Sequence, residues 1–234
     1  LKKPIPTIDP SGVPPGPGAR HAARMDVFTT AGLYLVTSEA LSGPGGTRGV
    51  VRAALAAGVR LIQLREKDCS VRVFMDLAKD VRDMTREAGA LLIINDRLDV
   101  ALGVDADGVH LGQDDFPVTD ARRLAPDLII GTSTHSVEEA VAAQRDGVSY
   151  LNIGPLFPTA TKVWNDAFLG VEGLRRIAAH VRIPFTVMGG IKADHIPALL
   201  AAGARTLAVV TAVTAAPDPG AAAADLLRRI RQAG

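Results

Sequence analysis

Short apolar, β-rich runs alternate with longer helical patterns from Ala31 onward, which predicts an α/β fold, a single (βα)8 barrel over residues 25–234. Three observations carry that prediction. Eight such runs can be counted, each followed by a helical stretch. The runs are apolar throughout rather than alternating, as suits strands buried on both faces. No shift of composition after Ala31 marks a second domain. A doubly wound open sheet shares the βα repeat, and periodicity alone does not separate the two; the count of eight favours closure.

In order, the strand candidates are GLYLVT (32–37), LIQL (61–64), LLII (91–94), GVHL (108–111), LIIG (128–131), SYLNIG (149–154), FTVMGG (185–190) and TLAVVT (206–211). Helical spacing fills the gaps between them, for example over 71–88, 136–146 and 171–180. Gly58, Gly89, Gly147 and Gly203 stand where these helices should end, the position at which a left-handed residue closes a helix. Residues 1–24 read differently. Six of the fifteen prolines fall in the first seventeen positions, without apolar periodicity, so a flexible, disordered Pro-rich extension that adds nothing to the core is expected.

Lys plus Arg (26) nearly cancel Asp plus Glu (25), and a net charge of +1 gives no global pull toward nucleic acid or a membrane surface. No apolar run approaches the length of a membrane span. Cys69 is the only cysteine, which excludes an internal disulfide and a cysteine-based zinc cluster. The expectation is a cytoplasmic protein in a reducing compartment, with no nucleic-acid or membrane partner and with homo-oligomerisation left open.

In a closed βα barrel, chemistry gathers in the loops where the strands end. After the second run, QLREK sets Gln63, Arg65 and Lys67 on alternate positions, hence on one face of an extended segment. An amide and two cations then point together, and Arg65 can grip a phosphate with two donors. A solvated charged loop is the plain alternative. After the third run come Asn95 and Asp96, and after the fourth Gln113, Asp114 and Asp115. Carboxylates from adjacent strand ends can share one hard cation, and Mg2+ typically takes one or two carboxylates plus substrate phosphates. Asp96 and Asp115 are the chosen pair. The competing reading makes both of them N-caps, Asp115 for a helix starting near Pro117. His110 reads as a hydrogen-bonded interior residue rather than a metal ligand. After the fifth run, Ser133 and Thr134 offer hydroxyls, and Ser136 with Glu139 has capping-box spacing. His135 invites a general-base reading, but no partner carboxylate is identifiable from sequence.

The most informative stretch follows the sixth run: NIGPLFPTATK, Asn152 to Lys162. Its prolines and glycine forbid a regular helix. Thr159, Thr161 and Lys162 crowd two hydroxyls and an ammonium together, as an anionic, phosphorylated ligand requires. After the seventh run, Gly189 and Gly190 let backbone approach a phosphate and present N–H groups. Thr211, after the eighth, completes a phosphate cup of the kind barrels build there. Arg65, Lys67 and Lys162 thus face one mouth with Asp96 and Asp115. A metal-bound pyrophosphate between them reconciles the signs, the acids holding Mg2+ and the cations neutralising the rest. The second, monophosphate site implies two substrates, hence a Mg2+-assisted transfer from a pyrophosphate donor to a phosphate-bearing acceptor.

Together, LIQLREK, IINDR, ADGVHLGQDD, GTSTHS, NIGPLFPTATK and MGGI closely resemble the thiamine phosphate synthase family, over about residues 32–227. The resemblance implies a (βα)8 barrel that joins hydroxymethylpyrimidine pyrophosphate to thiazole phosphate, both small molecules, releasing pyrophosphate and forming thiamine phosphate. It implies that Gln63, Arg65 and Lys67 hold the pyrophosphate with Asn95, Ser133 and Lys162. It further implies that Asp96 and Asp115 hold Mg2+, and that Thr159, Thr161, Gly189, Gly190, Val210 and Thr211 form the thiazole-phosphate site. In that family the pyrimidine C–O bond breaks first and the thiazole nitrogen captures the resulting cation, so no general base is needed. Two departures stand out: the segment TKVWNDAFLG is slightly longer than the family's loop and carries Trp164, and residues 1–24 have no counterpart. Two other readings compete. One is the thiazole tautomerase branch, an isomerase that needs a proton-transfer histidine such as His135 and has no use for a metal–pyrophosphate cage. The other is a non-catalytic protein that sequesters a phosphate ester.

Overall fold

A computed structural model describes residues 18–159, 161 and 165–234. Eight parallel strands close into a barrel in chain order: β1 (Leu33–Val36), β2 (Leu61–Leu64), β3 (Leu91–Asn95), β4 (Gly108–Leu111), β5 (Ile129–Thr134), β6 (Tyr150–Ile153), β7 (Phe185–Val187) and β8 (Thr206–Val209). The ring is completed by β8 on β1, with Tyr34 opposite Ala208. The open sheet is thereby ruled out. Outside lie α2 (Gly46–Ala56), α3 (Val71–Glu87), α4 (Leu98–Gly103), α5 (Val118–Leu124), α6 (Val137–Arg145), α7 (Gly170–Ala178), α8 (Ile196–Ala201), α9 (Thr211–Thr214) and α10 (Pro219–Ala233). Gly58, Gly89, Gly147 and Gly203 all have positive φ, as their places behind helices require. The fifth strand runs further than expected, carrying Ser133 and Thr134 within it.

Strand period two divides the core. Leu35, Ile62, Leu92, Ile94, Val109, Leu111, Ile130, Leu151 and Val209 face the helices, while Tyr34, Leu61, Leu91, Ile93, Ile129, Tyr150 and Ala208 fill the barrel. The interior is filled by matching large to small. A Cβ on Gly131 would collide with the Tyr150 ring, and one on Gly108 would lie 2.5 Å from Ile93 Cδ1.

Helix α1 (Ala19–Thr30) closes the end of the barrel at which the strands begin. Its Phe28 is buried, with its ring 4.4 Å from that of Tyr150 and 6.3 Å from that of Tyr34. Its Arg24 reaches Asp107 Oδ1 at 3.1 Å and also donates to the carbonyls of Ala106 and Asp127. Arg82 of α3 grips the same carboxylate through both oxygens, and Leu92 N–H donates to it at 2.9 Å. The expectation that residues 1–24 stand apart from the core therefore fails for Gly18–Arg24. Arg24 is buried because it has a buried counter-charge, a partner that local composition does not reveal. Residues 1–17 lie outside the described residues.

Asp107, with Arg24 and Arg82, yields a stability prediction. Only about 8% of each of the three side chains is exposed, so Asp107→Ala strands two buried guanidinium groups. Urea denaturation is expected to show a loss of about 3–5 kcal/mol; a change below about 1 kcal/mol would show the cluster to be incidental.

Candidate active site

All the candidate groups that the structure describes lie at the strand ends or in the loops beyond them, but they form two neighbouring assemblies rather than one. The first is acidic. Asp96 directly follows β3 with φ of +61°, a left-handed conformation that a non-glycine residue adopts at a cost. Its N–H continues the ladder to the His110 carbonyl at 2.8 Å, and the turn carries the carboxylate beside that of Asp115. Burial, reinforced by the Asp115 carboxylate, raises the Asp96 pKa, while Lys67 at 3.5 Å opposes the rise. Neither aspartate caps a helix: the N-cap residues of α4 and α5 are Arg97 and Pro117, with no side-chain cap, and Asp115 Oδ2 accepts from Gly112 N–H at 2.6 Å. Among the described residues the two facing carboxylates meet one ammonium, that of Lys67, and this donor set fits a hard divalent cation. No group of three or more His, Cys, Asp or Glu that could hold a metal occurs among the described residues. A cation here would thus take two protein carboxylates and draw its other ligands from water or phosphate.

The second assembly is a cavity of about 370 Å3 over the barrel. Of the candidates, it is lined by Arg65, Ser133, Thr159, Thr161, Gly189, Gly190, Val210 and Thr211, whereas Gln63, Lys67, Asn95, Asp96 and Asp115 are not on its wall. Arg65 also lines a second cavity with Lys67. Lys162 and Trp164 lie outside the described residues. The glycine pair has a packing duty besides any ligand. Gly189 (φ +100°) and Gly190 (φ +61°) abut the loop after β6, where a Cβ on Gly189 would sit 2.6 Å from Pro155 and one on Gly190 would strike the Pro158 carbonyl. Leu156 N–H and Phe157 N–H donate to the Met188 and Gly189 carbonyls at 2.9 and 3.0 Å, locking the two phosphate-side loops together.

Beneath the cavity runs a buried polar chain that sequence reasoning did not assemble. Gln63 Nε2 donates to Tyr34 Oη (2.8 Å), which contacts Tyr150 Oη (2.9 Å). Tyr150 Oη in turn reaches His110 Nδ1 (2.9 Å), and His110 Nε2 reaches Ser133 Oγ (2.9 Å). Burial depresses the His110 pKa to about 4, so the ring is neutral and carries one N–H. With Gln63 as donor, the Tyr34 proton must pass to Tyr150, the Tyr150 proton to Nδ1, and Nε2–H to Ser133 Oγ. Each hydroxyl and ring proton passed along the chain then has an acceptor, and Ser133 keeps its own proton for the cavity. The expectation that His110 is a hydrogen-bonded interior residue is met. Its partners were not legible because Tyr150 and Ser133 come from two other strands.

Two further residues were missed. Glu66, in the middle of QLREK, points away from the cations flanking it. It accepts from Thr37 Oγ1 (2.8 Å), Thr47 Oγ1 (2.7 Å) and Glu39 N–H (2.7 Å), while Thr37 Oγ1 accepts from Arg65 N–H (3.0 Å). It thereby pins the loop that carries Arg65. The period-two alternation that grouped Arg65 with Lys67 already placed Glu66 on the opposite face. The second is Glu139, the carboxylate partner of His135. Its Oε2 accepts from His135 N–H (2.8 Å) and Nδ1 (2.9 Å) instead of completing a capping box, while Ser136 Oγ does accept from Glu139 N–H.

The His110 chain predicts how stability varies with pH. The unfolded chain takes up a proton at 6.5 that the folded chain refuses until about 4, so the unfolded state binds more protons in that window and stability falls as pH falls through it. Denaturation midpoints followed from pH 7 to pH 4 are expected to lose on the order of 3 kcal/mol from this group. The His110→Asn chain should show a correspondingly shallower decline, and parallel curves would refute the assignment.

Comparisons with known proteins point to one family. The family model described as thiamine monophosphate synthase matches residues 33–213. A protein of Chloroflexus aurantiacus named thiamine-phosphate synthase is 49% identical over 194 residues, covering 83% of this chain and 90% of that protein. One of the same name from Moorella thermoacetica is 45% identical over 201 residues, covering 86% and 94%. Among solved structures, thiamine phosphate pyrophosphorylase from Pyrococcus furiosus superposes with a TM-score of 0.81 at 39% identity, covering 88% of this chain and 98% of that one. A closed eight-stranded barrel, its strand-end residues and these similarities lead to one statement: the chain belongs to the thiamine monophosphate synthase family of enzymes.

Proposed function

We propose that this enzyme condenses 4-amino-2-methyl-5-hydroxymethylpyrimidine pyrophosphate with 4-methyl-5-(2-phosphoethyl)thiazole, giving thiamine phosphate and pyrophosphate. The observation that carries the reading is the carboxylate pair Asp96–Asp115 beside Lys67, next to a cavity lined by Gly189, Gly190, Val210 and Thr211. Asp96 and Asp115 hold Mg2+, which when bound supplies Lewis-acid stabilisation of the pyrophosphate leaving group. Arg65, Lys67 and Lys162 neutralise the remaining charge, with Gln63 and Asn95 as amide contacts on that side. The Ser133 hydroxyl, freed by His110 to donate outward, meets a departing oxygen. Thr159 and Thr161, whose hydroxyls lie 3.2 Å apart, join the two backbone turns around the thiazole phosphate.

The bond changes need no proton transfer. The pyrimidine C–O bond breaks with its electron pair going to pyrophosphate, and the thiazole nitrogen lone pair forms the new C–N bond, leaving a thiazolium. This accords with the groups present: His110 is buried and neutral, and His135 is engaged by Glu139. The His135–Glu139 pair is what a thiazole isomerase would want, but such an isomerase gives Asp96 and Asp115 nothing to do. No helix among the described residues is long and apolar enough to cross a membrane, and we place the reaction in the cytoplasm, on small-molecule substrates.

The test is pyrophosphate release on mixing both substrates, with Mg2+ and then with EDTA. Release that requires both the thiazole phosphate and Mg2+ is expected; isomerisation of thiazole without release would replace the reading. Asp96→Ala is expected to lower kcat/KM by about 10²–10³-fold, the scale of losing a charge-stabilising group at the leaving oxygen. Glu66→Ala touches no substrate yet should weaken inorganic pyrophosphate binding about tenfold, or 1.4 kcal/mol, by loosening the Arg65 loop, with thiazole phosphate affinity unchanged. Equal losses for both ligands would show that Glu66 acts only on the fold.

A further inference from the structure

Asn152 opens the stretch NIGPLFPTATK, and none of the roles above uses it. It lies in β6, opposite Ser133 of β5 on one side and Thr186 of β7 on the other, below the loops that carry the phosphate-side groups. It is 4% exposed and lines the cavity, so its amide is part of the floor. Thr186 Oγ1 donates to Oδ1 at 2.9 Å, and Nδ2 meets Met188 Sδ at 3.1 Å. This orientation is the favourable one. Reversing the amide would set an oxygen against the thioether sulfur with no hydrogen between, and would leave the Thr186 proton only the Leu151 carbonyl at 3.5 Å. Sulfur is a weak acceptor, and Nδ2 carries two hydrogens. A buried amide in the wall of a ligand cavity therefore holds donor capacity that no oxygen or nitrogen among the described residues takes up.

We propose that Asn152 reads the ring of the pyrophosphate-bearing substrate, its Nδ2 donating to a ring nitrogen of the aminopyrimidine. The inference rests on the function proposed above and adds a specificity contact to it. A phosphate is the wrong acceptor for this position, because the cations and backbone turns lie higher, in the loops. The thiazole nitrogen is the wrong acceptor too, since a donor on it would occupy the lone pair that must attack. The pyrimidine ring nitrogens carry in-plane lone pairs that the reaction does not consume. A donor there draws electron density from the ring, so it favours the bound ground state and not the cation that follows. Its removal should thus raise Kd and KM for the pyrimidine substrate without lowering kcat.

The experiment first establishes thiamine phosphate formation by the wild-type chain. Calorimetry without thiazole phosphate then compares the aminopyrimidine pyrophosphate with two counterparts, each having one ring nitrogen replaced by C–H. The wild-type chain is expected to bind the parent about tenfold more tightly than one counterpart, and Asn152→Ala should bind the two alike. Asn152→Asp keeps the size and the acceptor for Thr186 but lacks the donor, and it should lose the same discrimination if the alanine chain fails to fold. Turnover with no wild-type discrimination, or with discrimination retained in the variants, overturns the role of Asn152 and leaves the synthase reading intact. Absence of turnover overturns both.

Discussion

A closed eight-stranded barrel must fill its own interior, and here the largest side chains that do so are two tyrosines. Tyr150 takes the space that Gly131 leaves empty, Tyr34 lies edge-on to it, and Phe28 covers both from below. Each tyrosine brings a hydroxyl into the buried interior, and a buried hydroxyl must find partners. The chain from Gln63 to Ser133 meets that demand. The packing of the barrel and the aim of the Ser133 hydroxyl are therefore consequences of one arrangement, and a change to either tyrosine acts on both.

Three aspartates show how environment separates structure from chemistry. Asp107 lies between two arginines and accepts a backbone N–H as well, so its charge is fully answered and it holds helix, strand and floor together. Asp96 and Asp115 face one another at the opposite end, with one ammonium at 3.5 Å from Asp96. The first cluster is complete without a ligand. The second sets two carboxylates against one ammonium among the described residues.

Most of the barrel could be read in the sequence because a parallel strand buried on both faces leaves an apolar run, and a helix end that needs positive φ leaves a glycine. Both signals are local. The site was legible to the extent that its residues sit directly behind those runs, as Arg65, Asp96, Ser133 and Gly189 do. What stayed hidden depends on pairing across the ring. Arg24 looks like part of a proline-rich leader until Asp107, eighty-three positions on, is placed beside it. His135 lacked a carboxylate partner until the first turn of α6 brought Glu139 back to it, in competition with the capping box that the spacing suggested. Asn152 read as the beginning of a loop motif, and only the register with Thr186 shows that its amide is held in one orientation.

The floor helix also fixes how the molecule can be tethered. Gly18 N–H donates to Asp127, which precedes β5 and so lies at the end where the strands begin. The chain enters the fold there, on the face opposite the cavity. A purification tag, a surface anchor or a second enzyme joined ahead of Gly18 would meet the barrel at its sealed end, leaving the substrate entrance unshadowed. Anchoring a chain that starts at Gly18 by that end should therefore turn the cavity side outward.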